Sequence, residues 1–154
     1  MNLILWRHAE AEDMNKGGDL ARELTRRGRK QAQQMAHWLA AHMEGEWRVV
    51  VSPARRTLQT VEPLGREFEV REALSTGTFP ERVLREAGWP EAGGNVLLVG
   101  HQPTLGEVAA LLLNGAQGEV SIRKGAIWWF VTRGREGKME TTLKTVLEPD
   151  QAEE

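Results

Sequence analysis

Three short apolar runs constrain this chain more than anything else in it: Leu3-Ile4-Leu5-Trp6, the stretch from Trp47 to Val51, and Val96-Leu97-Leu98-Val99. Each is short for a helix and lacks the apolar–polar alternation of a strand with one wet face. They read as strands buried on both sides, the kind found in parallel sheets covered by helices. The segments between them supply those helices. Thr25 is a plausible N-cap, and after it Ala32, Met35, Ala36, Leu39, Ala40 and Met43 recur at helical spacing until Gly45. Ser52-Pro53 reads as a cap and first helical residue, with Ala54, Thr57, Leu58 and Val61 on one side and Pro63 as the stop. Phe79 to Ala87 reads as a short helix. Another opens at Pro103, buries Leu105, Val108, Ala109 and Leu112, and ends at Gly115.

Other segments are less regular. Glu10 to Leu24 is polar and glycine-containing and reads as a loop, while Phe68 to Leu74 is compatible with a short strand. Ala126 to Thr132 and Thr141 to Leu147 form a hairpin around the turn-like Arg133–Lys138. The pattern predicts an α/β fold: a three-layer α/β/α domain with a mostly parallel central sheet and an antiparallel edge. Residues 1–148 would make one domain, with the acidic tail 149–154 frayed.

Composition narrows the chemistry. There is no Cys, which removes disulfides, thiolate zinc sites and any cysteine nucleophile. With a net charge of −2 and no basic run interleaved with aromatics, nucleic acid is not an expected partner. The first apolar run meets Arg7 too early for a signal peptide or a membrane span, so a soluble cytoplasmic protein is expected.

Each apolar run ends in chemistry. The first enters Arg7-His8-Ala9-Glu10, the second Ser52-Pro53-Ala54-Arg55-Arg56, and the third Gly100-His101-Gln102-Pro103. The ends of strands are where ligands collect in such sheets. A neutral imidazole is nucleophilic near pH 7, because its ordinary pKa is about 6.5. Attack by His8 on phosphorus gives a phosphoramidate that water can later cleave, splitting one displacement into two. Phosphoryl transfer otherwise asks for positioning and charge stabilisation. Planar guanidinium groups supply both, with Arg7 and Arg55 as the obvious pair and His101 as a further donor. Helix starts after Ser52 and Gln102 add a field that favours an anion. Each piece alone is unremarkable: a polar strand end, a helix cap, a loop. Together and in this order they point to a phosphoryl site.

Leu5-Trp6-Arg7-His8-Ala9-Glu10 resembles the Arg-His-Gly signature of the histidine phosphatase superfamily, which includes the cofactor-dependent phosphoglycerate mutases. Leu24-Thr25-Arg26-Arg27-Gly28-Arg29-Lys30-Gln31-Ala32 is similar to its Leu-Thr-x-x-Gly-x-x-Gln-Ala helix start. Ser52 to Thr60 resembles Ser-Pro-x-x-Arg-Ala-x-Gln-Thr, and Val99 to Pro103 its Gly-His-x-Pro segment. The small size resembles the SixA-type phosphohistidine phosphatases. The resemblance implies a phosphoglycerate mutase-like fold with no metal and no other cofactor. It makes His8 the phosphoryl acceptor and Arg7, Arg55 and His101 the phosphate pocket. The substrate it implies is phosphohistidine on a protein such as a phosphotransfer domain, or else a small phosphate ester.

Three departures stand out. Ala9 replaces the usual Gly, Arg56 is read at the family's Ala position as an added charge beside Arg55, and no general acid can be aligned. Glu72 and Glu81 bracket the region where many relatives place that acid, while Glu10 and Glu12 lie near His8. An alcohol leaving group needs a proton in the transition state, whereas imidazole is far less basic. A site without a dedicated acid therefore fits phosphohistidine better. Two rival readings are a phosphate-binding module without turnover and a metal hydrolase using His8, His101 and a Glu. His37 and His42, five residues apart on one helix, do not face a common ligand. Arg26, Arg27, Arg29 and Lys30 are read as a solvated face, with docking of an acidic partner as the sharper alternative.

Overall fold

A computed structural model describes residues 1–91 and 93–152 of the chain. Its strands are β1 (Asn2–Arg7), β2 (Arg48–Val51), β3 (Glu69–Val70), β4 (Asn95–Gly100), β5 (Ile127–Arg135) and β6 (Lys138–Leu147). Its α-helices are α1 (Arg26–His42), α2 (Arg55–Val61), α3 (Pro80–Ala87) and α4 (Thr104–Asn114). The strands form one six-stranded sheet in the order β3-β2-β4-β1-β5-β6. β1, β2, β3 and β4 pair in parallel, and β5 and β6 close one side antiparallel. This is the mostly parallel sheet with an antiparallel edge that the sequence predicts.

The continuous apolar runs are explained by the two cores they feed. Along β1, Leu3 and Leu5 face one side with Val50, Val96 and Leu98, against Val83 of α3 and Leu105, Val108 and Ala109 of α4. Ile4 and Trp6 face the other with Val49, Val51, Leu97 and Val99, against Met35, Ala36 and Leu39 of α1 and Val61 of α2. Alternate residues point to opposite faces of a strand, so a strand covered on both faces must be apolar throughout. Leu3, Leu5, Leu97 and Leu98 are fully buried, each contributing about 1.5–3 kcal/mol relative to exposure.

The same packing locates the crevice. β1 and β4 are parallel neighbours with Arg7 opposite Gly100, yet β1 leads to α1 on one face and β4 leads to α4 on the other. Departure to opposite faces opens a cleft at the carboxyl ends of those strands, where ligands bind in open α/β sheets. His8 and His101 are the residues that step off into it.

Local signals held at some helix ends and shifted at others. Thr25 caps α1 as expected, its Oγ1 accepting from the Gly28 amide at 3.0 Å. Ser52 does not cap α2, which begins at Arg55; its Oγ accepts from the Ala54 amide at 3.2 Å and is otherwise engaged by His101. The loop from Glu10 to Leu24 contains a 3-10 turn at Asp19–Ala21, and an isolated Ala11–Leu24 bridge closes its base. The hairpin is tighter than the sequence implies. β5 runs on to Arg135, leaving Glu136 and Gly137, both at positive φ, as a two-residue turn. Residues 149–152 are not frayed. Pro149–Ala152 forms a 3-10 turn whose Ala152 is buried against the α1 face, and residues 153 and 154 lie outside the described residues.

Candidate active site

His8 follows β1 and is held by the sheet itself: its amide donates to the Gly100 carbonyl at 3.1 Å and its carbonyl accepts from Gly125 at 3.0 Å. The ring is buried, and its Nδ1 lies 2.8 Å from the Ala9 carbonyl. A carbonyl can only accept, so Nδ1 carries the proton of the neutral ring and Nε2 presents the lone pair. Burial pushes the His8 pKa down to about 3, against the raising effect of the Ala9 hydrogen bond and with His101, Arg56 and Arg7 lowering it further. The lone pair is thus available at neutral pH without a base to unmask it.

His101 stands across the cleft, its ring centroid 5.4 Å from that of His8. Its Nε2 is 2.7 Å from Ser52 Oγ and its Nδ1 is 3.4 Å from Arg56 Nη2. A guanidinium only donates, so the neutral ring accepts at Nδ1 and donates from Nε2 to Ser52. Its pKa is pushed down to about 4, first by burial and then by the Arg56 charge. A dianion in the cleft would oppose that shift by favouring the charged ring.

The arginines divide sharply. Arg7 is half-buried, with Nη1 donating to the Ile122 carbonyl at 2.8 Å. Arg56 is 3 % exposed; its Nη1 donates to the Asp19 carbonyl at 2.8 Å, and its Nη2 lies 3.3 Å from Asp19 Oδ2. Nε of both Arg7 and Arg56 is buried and makes no hydrogen bond within the chain. A buried donor left unmade costs about 1–3 kcal/mol, and an oxyanion beside the paired imidazoles could satisfy both.

The structure does not bring Arg55 to this place. Its side chain is 60 % exposed, 3.5 Å from Glu23 Oε1, in a surface groove with Arg29, Gln33 and Glu62. Adjacent helical residues point about 100° apart, so only one of Arg55 and Arg56 can face the cleft. The signal was present in the sequence. Counting Ser52-Pro53-x-x-Arg puts the arginine at Arg56 and Thr57 at the family's Ala position. His8, Arg7 and His101 do converge. Sequence reasoning missed Arg56, and with it Asp19 and Ser52 as its neighbours in the site.

Of the carboxylates expected to compete for the acid role, two are hydrogen-bonded within the chain and two line surface depressions. Glu10 Oε1 accepts from Thr25 Oγ1 at 2.8 Å, and its Oε2 lies 3.6 Å from Arg27. Glu12 accepts from Asn15 and from the Glu23 amide. Glu72 lines a surface depression with Arg71, Arg82, Arg85 and Glu86, and Glu81 lines a groove with Phe79, Glu107 and Glu119. Among the described residues no group of three His, Asp or Glu side chains is disposed to share a metal ion. No described helix is long and apolar enough to cross a membrane.

The family model described as the histidine phosphatase superfamily, branch 1, matches residues 3–82, a span holding Arg7, His8 and Arg56. The chain belongs to that superfamily. Its enzyme class is that of a phosphatase, a hydrolase. An uncharacterized protein of Picosynechococcus sp. is 34% identical over 143 residues, 82% of each chain. Among solved structures, the protein histidine phosphatase SixA complexed with tungstate superposes with a TM-score of 0.83 at 26% identity, covering 99% of this chain and 100% of that one. That match carries the likeness past residue 82 to His101 and the closing hairpin. A phosphoserine phosphatase of Entamoeba histolytica superposes with a TM-score of 0.68 at 18% identity over 97% of this chain and 98% of its own, a likeness of fold alone. The fold is thus shared by phosphatases named for different phosphate classes.

Proposed function

We propose that this phosphatase hydrolyses phosphohistidine on a protein through a covalent phosphorylated His8. The supporting observation is an oxyanion site made by Arg7, Arg56, His8 and His101, while Glu10 and Glu12 are hydrogen-bonded within the chain and Glu72 and Glu81 line separate surface depressions. His8 Nε2 attacks phosphorus as the P–N bond to the substrate imidazole breaks, and the leaving ring departs neutral after taking up a proton. Imidazole protonates near neutral pH, so no carboxylic acid is required. Water then attacks the phosphorus of phospho-His8, releasing orthophosphate and restoring the neutral ring. The guanidinium groups and a protonated His101 stabilise the equatorial oxygens in both steps. Arg55 has no part in this. The likeness to SixA supports the same substrate class.

The test compares a phosphohistidine protein with phosphoserine and a panel of sugar phosphates, with rapid quench to trap labelled enzyme. The expected result is at least a tenfold preference in kcat/KM for phosphohistidine, with an acid-labile, base-stable label that His8→Ala abolishes. Preference for small phosphate esters would replace this substrate with the esters and leave the nucleophile intact. Phosphate binding without turnover, unchanged in His8→Ala, would make the chain a binding module.

A further inference from the structure

Arg56 is the buried cation of the site, and its two Nη groups are already taken. Both are gripped by one residue that lies far from the strand ends in sequence. Asp19 sits in the 3-10 turn of the loop between Glu10 and Leu24. Its carbonyl accepts from Nη1 at 2.8 Å, and its Oδ2 lies 3.3 Å from Nη2. Its other carboxylate oxygen accepts from Arg22 Nη1 at 3.0 Å, and Arg22 Nε in turn donates to the Glu12 carbonyl. The base of the loop is fixed by the Ala11–Leu24 bridge and by the Glu12 amide donating to Glu23 at 2.8 Å. The grip on Arg56 is therefore anchored, although the Asp19 side chain is itself 53% exposed.

A guanidinium presents two bidentate edges, one made by both Nη groups and one by Nε with a single Nη. Asp19 occupies the first. That fixes rotation of the group and leaves Nε, buried and without a partner in the chain, for an incoming oxyanion, while Nη2 also reaches His101 Nδ1 at 3.4 Å. We infer that Asp19 is a positioning residue for Arg56, holding the Nη groups so that the unpartnered Nε meets the phosphoryl group. The inference rests on the oxyanion site proposed above. It assigns a task to a loop residue that carries a charge opposite to the other groups around the anion. Electrostatics alone would have Asp19 weaken anion binding; positioning has it strengthen binding.

Those opposed signs make the inference testable with orthovanadate as the phosphate mimic, alongside KM and kcat. Asp19→Ala is expected to weaken vanadate inhibition and raise KM by about 5- to 30-fold, less than a fully buried charge-assisted hydrogen bond because Asp19 is half-exposed. Asp19→Asn keeps an oxygen acceptor and should stay within about threefold of wild type. In an Arg56→Ala background, Asp19→Ala should add less than about twofold, because the residue acts only through Arg56. Vanadate inhibition that is unchanged or tighter in Asp19→Ala overturns the inference, as does an undiminished loss in the Arg56→Ala background. If Arg56→Ala itself leaves vanadate inhibition unchanged, the oxyanion site falls and this inference with it. Weaker inhibition in Arg56→Ala alone would sink only the role of Asp19.

Discussion

The two ends of the parallel sheet each carry buried or half-buried arginines, and they are treated in opposite ways. At the amino end, Arg48 opens β2 and is saturated by carboxylates. Its Nε donates to Glu69 at 2.9 Å and its Nη2 to Glu86 at 3.0 Å, tying β2 to β3 and α3. Its pKa is raised, first by the hydrogen bond to Glu69. At the carboxyl end, the pKa values of Arg7 and Arg56 are lowered by burial, and each keeps a buried Nε unpartnered. An arginine whose fork is filled by protein carboxylates holds the fold together. One that is buried with its Nε unused fits the anion-binding role proposed above, in which the desolvation it suffers is repaid when an anion arrives.

The largest expected effect separates two residues adjacent in sequence. Removing Arg56 takes away a preorganised cation from the equatorial oxygens, and kcat/KM should fall about 10²- to 10³-fold. Removing Arg55 takes away an exposed ion pair with Glu23, worth little, and kcat/KM should change by less than about threefold. Steady-state kinetics on Arg56→Ala and Arg55→Ala read this directly. Equal losses in the two variants would break the assignment of the anion site to the carboxyl end as drawn.

That pair also shows what the sequence could convey. Buried strands were legible because a strand covered on both faces has no freedom to be polar, as in Leu3–Trp6 and Val96–Val99. Thr25 was legible because a cap acts within one helical turn. His8 and His101 were legible because each sits one residue past such a strand. The choice between Arg55 and Arg56 was legible by counting Ser-Pro-x-x-Arg from Ser52, and it was lost by reading Arg56 at the family's Ala position. Asp19 was illegible for a different reason. Its grip on Arg56 spans 37 residues through an aperiodic loop, and no local rule encodes such a contact. The tail was misread because composition alone suggested fraying, whereas Ala152 finds a place on the α1 face.

A middle-sized effect concerns acid. His8 and His101 have pKa values of about 3 and about 4 in the fold, against about 6.5 in the unfolded chain. Above about pH 6.5 neither state protonates them, so the folded state keeps its full advantage. As the pH falls below that value the unfolded chain binds protons that the fold refuses, and stability declines by up to about 1.4 kcal/mol per pH unit for each histidine. The decline ends as the pH passes through the folded values. Glu69 at the other end has a lowered pKa, through its hydrogen bond from Arg48, so its losses fall mainly below pH 5, under the histidine window. Chemical denaturation between pH 7.5 and pH 5 should show this slope in wild type and about half of it in His101→Gln. An unchanged slope in the variant would locate the acid sensitivity elsewhere and blunt the contrast between the two ends.

The smallest effect completes the comparison from the structural side. Arg48 is 35 % exposed, and Glu69 and Glu86 are 37 % and 25 % exposed, so water screens both ion pairs and hydrates the carboxylates if the arginine is lost. Arg48→Met keeps much of the aliphatic stem while removing the fork, along with the bond to the Glu86 carbonyl. The expected loss is about 1 kcal/mol, or roughly 2–4 °C in the thermal midpoint of a domain this size. Because Arg48 lies at the opposite end of β2 from Ser52, kcat/KM should stay within about twofold of wild type, in contrast to Arg56→Ala. A loss of activity with the thermal midpoint unchanged would mean that the amino end of the sheet also serves the reaction. In that case, the filling of an arginine's fork by carboxylates would no longer distinguish structure from site in this molecule.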